Sequence, residues 1–187
     1  DLNLIDGSAV WVTSIVETLS QDAAVQPTLL LKRPIMRDVL TKALQQKANV
    51  TVINPWSKQF HSLNLELTDE SWVTTKSLSI KQAVEIVEQL DETFHYDMFL
   101  VRGYALSKEI AERTIANRTW FYITDFPQSY KQLTHTHLED LTAIYTNGSK
   151  LVCQTPMLIQ YFKDLLHATD DDKFIHLPPM IPNYSHS

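Results

Sequence analysis

Residues 98–124, MFLVRGYALSKEIAERTIANRTWFYIT, decide the fold. The runs MFLV (98–101) and WFYIT (120–124) are continuously apolar, the pattern of strands covered on both faces. Between them SKEIAERTIA (107–116) carries helical spacing. Two buried strands joined through a helix pair in parallel, because parallel neighbours need a crossover that antiparallel ones do not. The same alternation extends outward in both directions. Downstream lie helices at about 130–145 and 156–167, separated by the strand LVCQT (151–155), and FIHL (174–177) closes the series. Upstream, Ser79 followed three residues later by Gln82 is a capping-box signature, and Ile80, Ala83, Val84, Val87 and Leu90 mark a helix to about Thr93.

Further upstream, Trp11, Val12, Ile15, Val16 and Leu19 predict a helix over 8–20 behind Ser8 as N-cap, followed by the strand TLLL (28–31). RDVLTKALQQK (37–47) reads as a helix and NVTVI (49–53) as a strand. Residues 54–78 break the rhythm. HSLNLELT (61–68) alternates apolar and polar residues and SWVTT (71–75) is rich in β-formers, so this excursion reads as a hairpin. The whole predicts an α/β fold, a Rossmann-like parallel sheet with helices on both faces, as one domain over 1–177. Its first strand is either only Leu2 to Ile5 or missing. Residues 178–187, PPMIPNYSHS, have the composition of a linker or tail.

Composition narrows the function classes. The 187 residues suffice for one sizeable core, and a net charge of −6 argues against a basic surface that would wrap nucleic acid. A single cysteine, Cys153, excludes an internal disulfide framework or a multi-cysteine metal site and reads as a small core residue of a reducing compartment. With no apolar run long enough to span a bilayer, the expected location is cytoplasmic. The sequons at Asn49, Asn117, Asn147 and Asn183 read as turn chemistry. Only three glycines occur, Gly7, Gly103 and Gly148, so each is expected where the backbone requires one.

In open α/β sheets ligands gather beyond the carboxyl ends of the strands, which makes the residues after each apolar run the candidate site. Among them are Asp6-Gly7-Ser8, Arg102-Gly103-Tyr104 and Thr124-Asp125. Gly7 and Ser8 precede a helix whose N–H groups suit a phosphate. Arg102 can clamp an anion, Gly103 implies a tight turn, and Asp125 reads as a general base or as a turn cap. His135 and His137 are two apart, on different helix faces, which disfavours a metal pair. Zinc-protease, dinucleotide-binding, P-loop and nucleophile-elbow motifs are all missing. Residues 32–47 hold Lys32, Arg33, Arg37, Lys42 and Lys47 against Asp38 alone, a local charge of +4. Such a basic helix is either a solvated face or a peripheral contact with an anionic membrane.

The order of these segments resembles the N-terminal half of a GT-B glycosyltransferase, particularly the retaining group 1 (family 4) enzymes. LIDGSAVWVTSIVETLS is similar to their glycine loop and first helix, and YDMFLVRGYALSKEIA to their fourth strand, Arg-Gly turn and following helix. TWFYITDF, KLVCQTPMLIQYF and FIHLPPMIP are similar to the strands that follow. The resemblance implies an acceptor-side domain for a glycan or lipid-linked acceptor, as in polysaccharide biosynthesis. The nucleotide-sugar donor would be held mostly by a C-terminal domain outside this chain, which would carry no cofactor itself. It further implies that Gly7 and Ser8 meet the donor phosphates, that Asp6, Arg102, Gly103 and Tyr104 face the acceptor, and that Thr124 and Asp125 face the reacting sugar. Many members carry a histidine where this chain has Thr124. The alternative is a non-catalytic Rossmann-like binding or scaffold subunit that completes a split transferase.

Overall fold

The computed structural model describes residues 2–4 and 6–180. The protein is α/β with parallel strands throughout, a Rossmann-like arrangement. The chain divides into two compact units, Asp1–Val87 with Pro179–Ser187, and Glu88–Pro178.

In the second unit β3 (Phe99–Arg102), β4 (Thr119–Tyr122), β5 (Lys150–Cys153) and β6 (Phe174–His176) form a parallel sheet in chain order. Register pairs Phe99 with Thr119, Trp120 with Lys150, and Leu151 with Phe174. The crossovers contain α6 (Tyr104–Ala111), α7 (His135–Asn147) and α8 (Pro156–Leu166). α6 packs on α7 and α7 on α8, as right-handed crossovers between strands in sequential order would bring them. Phe121, Tyr122, Ile123, Val152 and Cys153 are buried, as their unbroken apolar runs require. The helix expected at 107–116 starts earlier, at Tyr104, and gives way to a 3-10 turn over Thr114–Arg118.

In the first unit β1 (Thr28–Leu30) pairs in parallel with β2 (Thr51–Ile53). Val16 of α1 (Gly7–Leu19) and Leu44 of α2 (Lys42–Gln45) pack with Leu29 and Leu31. Three sequence expectations need correction here, and one of two open alternatives falls away. Ser8 lies inside α1, whose N-cap is Asp6, with Oδ1 accepting from Ser8 N at 2.9 Å and Ala9 N at 2.8 Å. The basic helix of 37–47 shrinks to α2: the Asp38 carbonyl accepts from Thr41 N at 3.0 Å and Lys42 N at 2.8 Å, and regular helix covers only Lys42–Gln45, while the Asn3 side chain accepts from the Met36 and Arg37 N–H groups. Val39 is moreover exposed, so no apolar stripe remains to fix a longer one. Lys32, Arg33 and Arg37 therefore sit on irregular backbone, and Lys42 begins α2. Leu2–Leu4 form a turn and not a strand, and Ile5 lies outside the described residues. Nor is there a hairpin at 54–78: Asn64 takes φ 51°, which interrupts the alternation, and two one-turn helices form, α3 (Lys58–His61) and α4 (Trp72–Thr75). Burial of Phe60 and Trp72 outweighs the β propensity of SWVTT.

The last helix, α5 (Ile80–Phe94), begins as its sequence predicts. Ser79 N donates to Gln82 Oε1 at 2.7 Å and Gln82 N to Ser79 Oγ at 3.1 Å, the reciprocal capping box. Pro178–Met180 have no regular structure, and the rest of the expected linker lies outside the described residues.

Candidate functional site

At the carboxyl ends of β3 and β4 the second unit gathers five of the residues singled out in the sequence. Gly103 adopts φ 102° and ψ 144°, a conformation that strains any residue with a Cβ. Its N–H continues the ladder to Tyr122 O at 3.0 Å, and its carbonyl accepts from Ser107 N at 3.0 Å and Ser107 Oγ at 2.7 Å. The chain thereby turns from strand into helix within one residue. No side chain of its own caps α6. Asp125, arriving from the end of β4, supplies the cap: its Oδ1 accepts from Tyr104 N at 2.7 Å, and its negative charge suits a helix N-terminus. The turn-cap alternative for Asp125 thus acquires a partner, the first N–H of α6. Arg102 is half-buried, with its guanidinium 6.0 Å from the ring centroid of buried Tyr122. Thr124, beside Asp125, is half-buried too.

Around this turn lies a polar and aromatic cluster. The Tyr104 hydroxyl donates to Asp140 Oδ2 on α7. Lys108, one helical turn past Tyr104, places Nζ 3.8 Å from the same oxygen and 5.6 Å from the Tyr104 ring centroid. Burial, and then the Asp140 carboxylate, push the Tyr104 phenol well above its ordinary pKa, so it remains a hydrogen-bond donor. Phe126, 4% exposed, stands edge-on to Tyr104, His137 and Phe162 at centroid distances of 5.4, 5.7 and 5.5 Å. His137 also lies 5.6 Å from the Tyr104 ring. Its Nδ1 accepts from Thr134 N at 3.1 Å while Thr134 Oγ1 accepts from His137 N at 3.3 Å. The neutral imidazole therefore carries its proton on Nε2.

His137, Asp140 and Lys108 are members of this site that the sequence reading does not place there. A capping box with histidine in place of Glu or Gln, Thr134-x-x-His137, is the sequence signal that locates His137. Asp140 and Lys108 become neighbours only because α6 packs on α7. The arrangement offers a carboxylate, a phenol, an ammonium and an imidazole beside aromatic surface. That set can recognise a hydroxyl-rich ligand by hydrogen bonds and ring contact. Among the described residues no group of three or more His, Cys, Asp or Glu is placed to hold a metal ion.

The remaining candidates belong to the first unit. Asp6, Gly7 and Ser8 are exposed at the start of α1, with Asp6 engaged as its cap. A Cβ built on Gly7 would meet nothing within 4 Å. Neither crowding nor a positive φ calls for glycine there, unlike at Gly103. Gly148, which the sequence does not link to any site, is required by close approach: a Cβ would fall 2.6 Å from Ile144 O and from two Phe121 ring atoms. Lys32, Arg33, Arg37 and Lys42 are all exposed. Cys153 is buried, which pushes its thiol up to about 12 and leaves it in the core. Comparison with known protein families, curated proteins and solved structures finds no match. Fold and geometry define a Rossmann-like α/β protein, and among its described residues no helix is long and apolar enough to cross a membrane.

Proposed function

We propose that this chain is the acceptor-side domain of a GT-B glycosyltransferase that transfers a sugar from a nucleotide-sugar donor to a glycan or lipid-linked acceptor. The observation that carries the reading is the cluster at the carboxyl ends of β3 and β4, where the Gly103 turn is held by Asp125 and flanked by Tyr104, Asp140, Lys108 and His137. A ligand site in an open parallel sheet is expected at that edge. In this reading Asp125 positions the turn, the Tyr104 hydroxyl, its proton given to Asp140, accepts from an acceptor hydroxyl, and His137 offers an N–H. The donor would be held mostly by a C-terminal domain outside this chain, with Gly7 and Ser8 approaching its phosphates. Transfer then relies on positioning and on electrostatic stabilisation of the departing diphosphate.

Gly7 provides the test, because the space around it separates folding from function. In a protein joining this chain to its donor-binding domain, Gly7→Leu is expected to leave the thermal midpoint within a degree or two, about the effect of an uncrowded surface change. It should cut sugar transfer by about a hundredfold, the order of loss from misplacing a reacting group. Full turnover by the variant would refute the approach of Gly7 to the donor. The scaffold alternative draws support from the way Asp125, Asp140 and His137 are already engaged by neighbouring groups. It would be preferred if no nucleotide sugar were turned over by the joined protein.

A further inference from the structure

The first unit carries a surface that the transferase reading does not use. Met36, Val39 and Leu4 are 80%, 68% and 57% exposed, three of the five most exposed large apolar side chains among the described residues. Leu4 and Val39 line one open groove together with Arg37, while Lys32 and Lys42 are exposed on the same segment. Exposed apolar side chains set among cations mark an interaction surface.

Two features define what the surface fits. The first is its presentation. Leu2 and Ile35 pack against the cluster of Val16, Leu29, Leu31 and Leu44, which directs their chain neighbours outward. Asn3 clasps the two segments: its Nδ2 donates to Pro34 O at 2.9 Å, and its Oδ1 accepts from Met36 N at 2.5 Å and Arg37 N at 3.0 Å. The backbone N–H groups beside the projecting side chains are thereby satisfied within the protein, which lowers the penalty of carrying them to a less aqueous boundary. The second is charge. Residues 32–47 hold +4 in a chain of net −6. A negatively charged sheet attracts this face and repels the remainder, so it fixes orientation as well as affinity.

We propose that the Leu2–Leu4 turn and the 32–42 segment dock on an anionic lipid bilayer, Met36, Val39 and Leu4 entering the headgroup boundary and the cations meeting the lipid phosphates. The device is a clasped loop and not an amphipathic helix, since regular helix is confined to Lys42–Gln45. The inference stands independently of the transferase reading.

Sedimentation of the whole chain with phosphatidylcholine vesicles, with and without phosphatidylserine, tests it. Binding is expected only with phosphatidylserine and should weaken as salt rises. Arg37→Glu with Lys42→Glu should lower partitioning about tenfold or more. Met36→Ser with Val39→Ser should lower it at unchanged charge, and since both side chains are exposed, the circular dichroism spectrum should be unaltered. Met36→Trp should show blue-shifted emission on anionic vesicles alone. Absence of binding, equal binding to neutral vesicles, or undiminished binding by the charge-reversed variant would overturn the proposal. So would a concentration-dependent dimer abolished by Met36→Ser with Val39→Ser, which would make a second copy the occupant.

Discussion

The two compact units bury their apolar residues in different ways. In Glu88–Pro178 the centre of the core is a pair of adjacent strands: Phe121, Tyr122, Ile123, Leu151, Val152 and Cys153 are at most 1% exposed, on neighbouring β4 and β5 or just beyond, with Leu141, Ile144 and Phe162 of the helices equally buried. In Asp1–Val87 the strands are three residues each, and two buried aromatic side chains, Phe60 and Trp72, are carried on one-turn helices. Trp72 on α4 is 2% exposed, with Trp56 and Phe60 edge-on at 5.5 and 5.8 Å and His61 stacked at 6.5 Å. A sheet distributes its stability over many backbone bonds and side chains, whereas an aromatic knot concentrates it. The first unit should therefore be the more sensitive to a single truncation.

The largest effect is expected at that knot. Trp72→Ala should destabilise the protein by about 3–5 kcal/mol, the range for deleting a large buried aromatic, read as a fall in the urea midpoint. Trp72→Phe should lose much less. It keeps a ring for Trp56 and Phe60 and removes a buried indole N–H that has no hydrogen-bond partner among the described residues. Equal losses for the two variants would mean that packing around the ring is not what anchors this unit.

The same contrast explains what could be read from the sequence. MFLV, WFYIT and LVCQT announce themselves because each strand is a consecutive apolar block, and the Ser79–Gln82 box is legible because both partners of a cap lie within one turn. The failures lie where a distant residue decides a local conformation. Asn3 reaches Met36 and Arg37 from more than thirty residues away and fixes the chain entering 37–47, where regular helix covers only Lys42–Gln45. Trp72 makes a helix of SWVTT because its neighbours Trp56 and Phe60 come from another segment. At the candidate site Gly103 and Asp125 are legible from their places after strands. Asp140 and Lys108 are not, because their proximity to Tyr104 is a product of helix packing.

A smaller effect probes the sheet. Gly148 sits between α7 and β5, and Phe121 beneath it is 0% exposed on a strand with neighbours on both sides. A methyl group there would come 2.6 Å from that ring and from Ile144 O, so either the ring or the helix end must shift. Gly148→Ala should destabilise by about 1–3 kcal/mol, as overpacking of a rigid core does. Hydrogen exchange of the Phe121 and Leu151 amides is the sharper measurement, since a displaced ring should speed it. Unchanged exchange and an unchanged urea midpoint would show the sheet more yielding than its burial implies.

The smallest effect belongs to a polar staple that the second unit adds to its sheet. Arg118 grips Asp91 with both arms, Nη1 to Oδ1 at 3.1 Å and Nη2 to Oδ2 at 2.5 Å, while Tyr96 N donates to Oδ1 at 3.0 Å. The guanidinium also lies 5.3 Å from the Phe99 ring centroid, so the end of α5 is tied to the residue before β4 beside an aromatic face. The Arg118 hydrogen bond above all holds the Asp91 carboxyl below the ordinary aspartate value of 3.8. A carboxyl whose pKa is lower in the folded than in the unfolded chain stabilises the fold above the unfolded value, and that stabilisation is lost as pH falls through the folded one. Asp91→Asn should thus destabilise by about 1–2 kcal/mol near neutrality, in line with a charged hydrogen bond at a partly exposed site. The difference from the parent should narrow as pH drops below about 4, because the parent carboxyl then becomes neutral as well. Urea midpoints of both proteins across that range measure it. A gap that stays constant with pH would show that the amide variant loses shape and hydrogen bonding alone, and that charge contributes nothing to the staple.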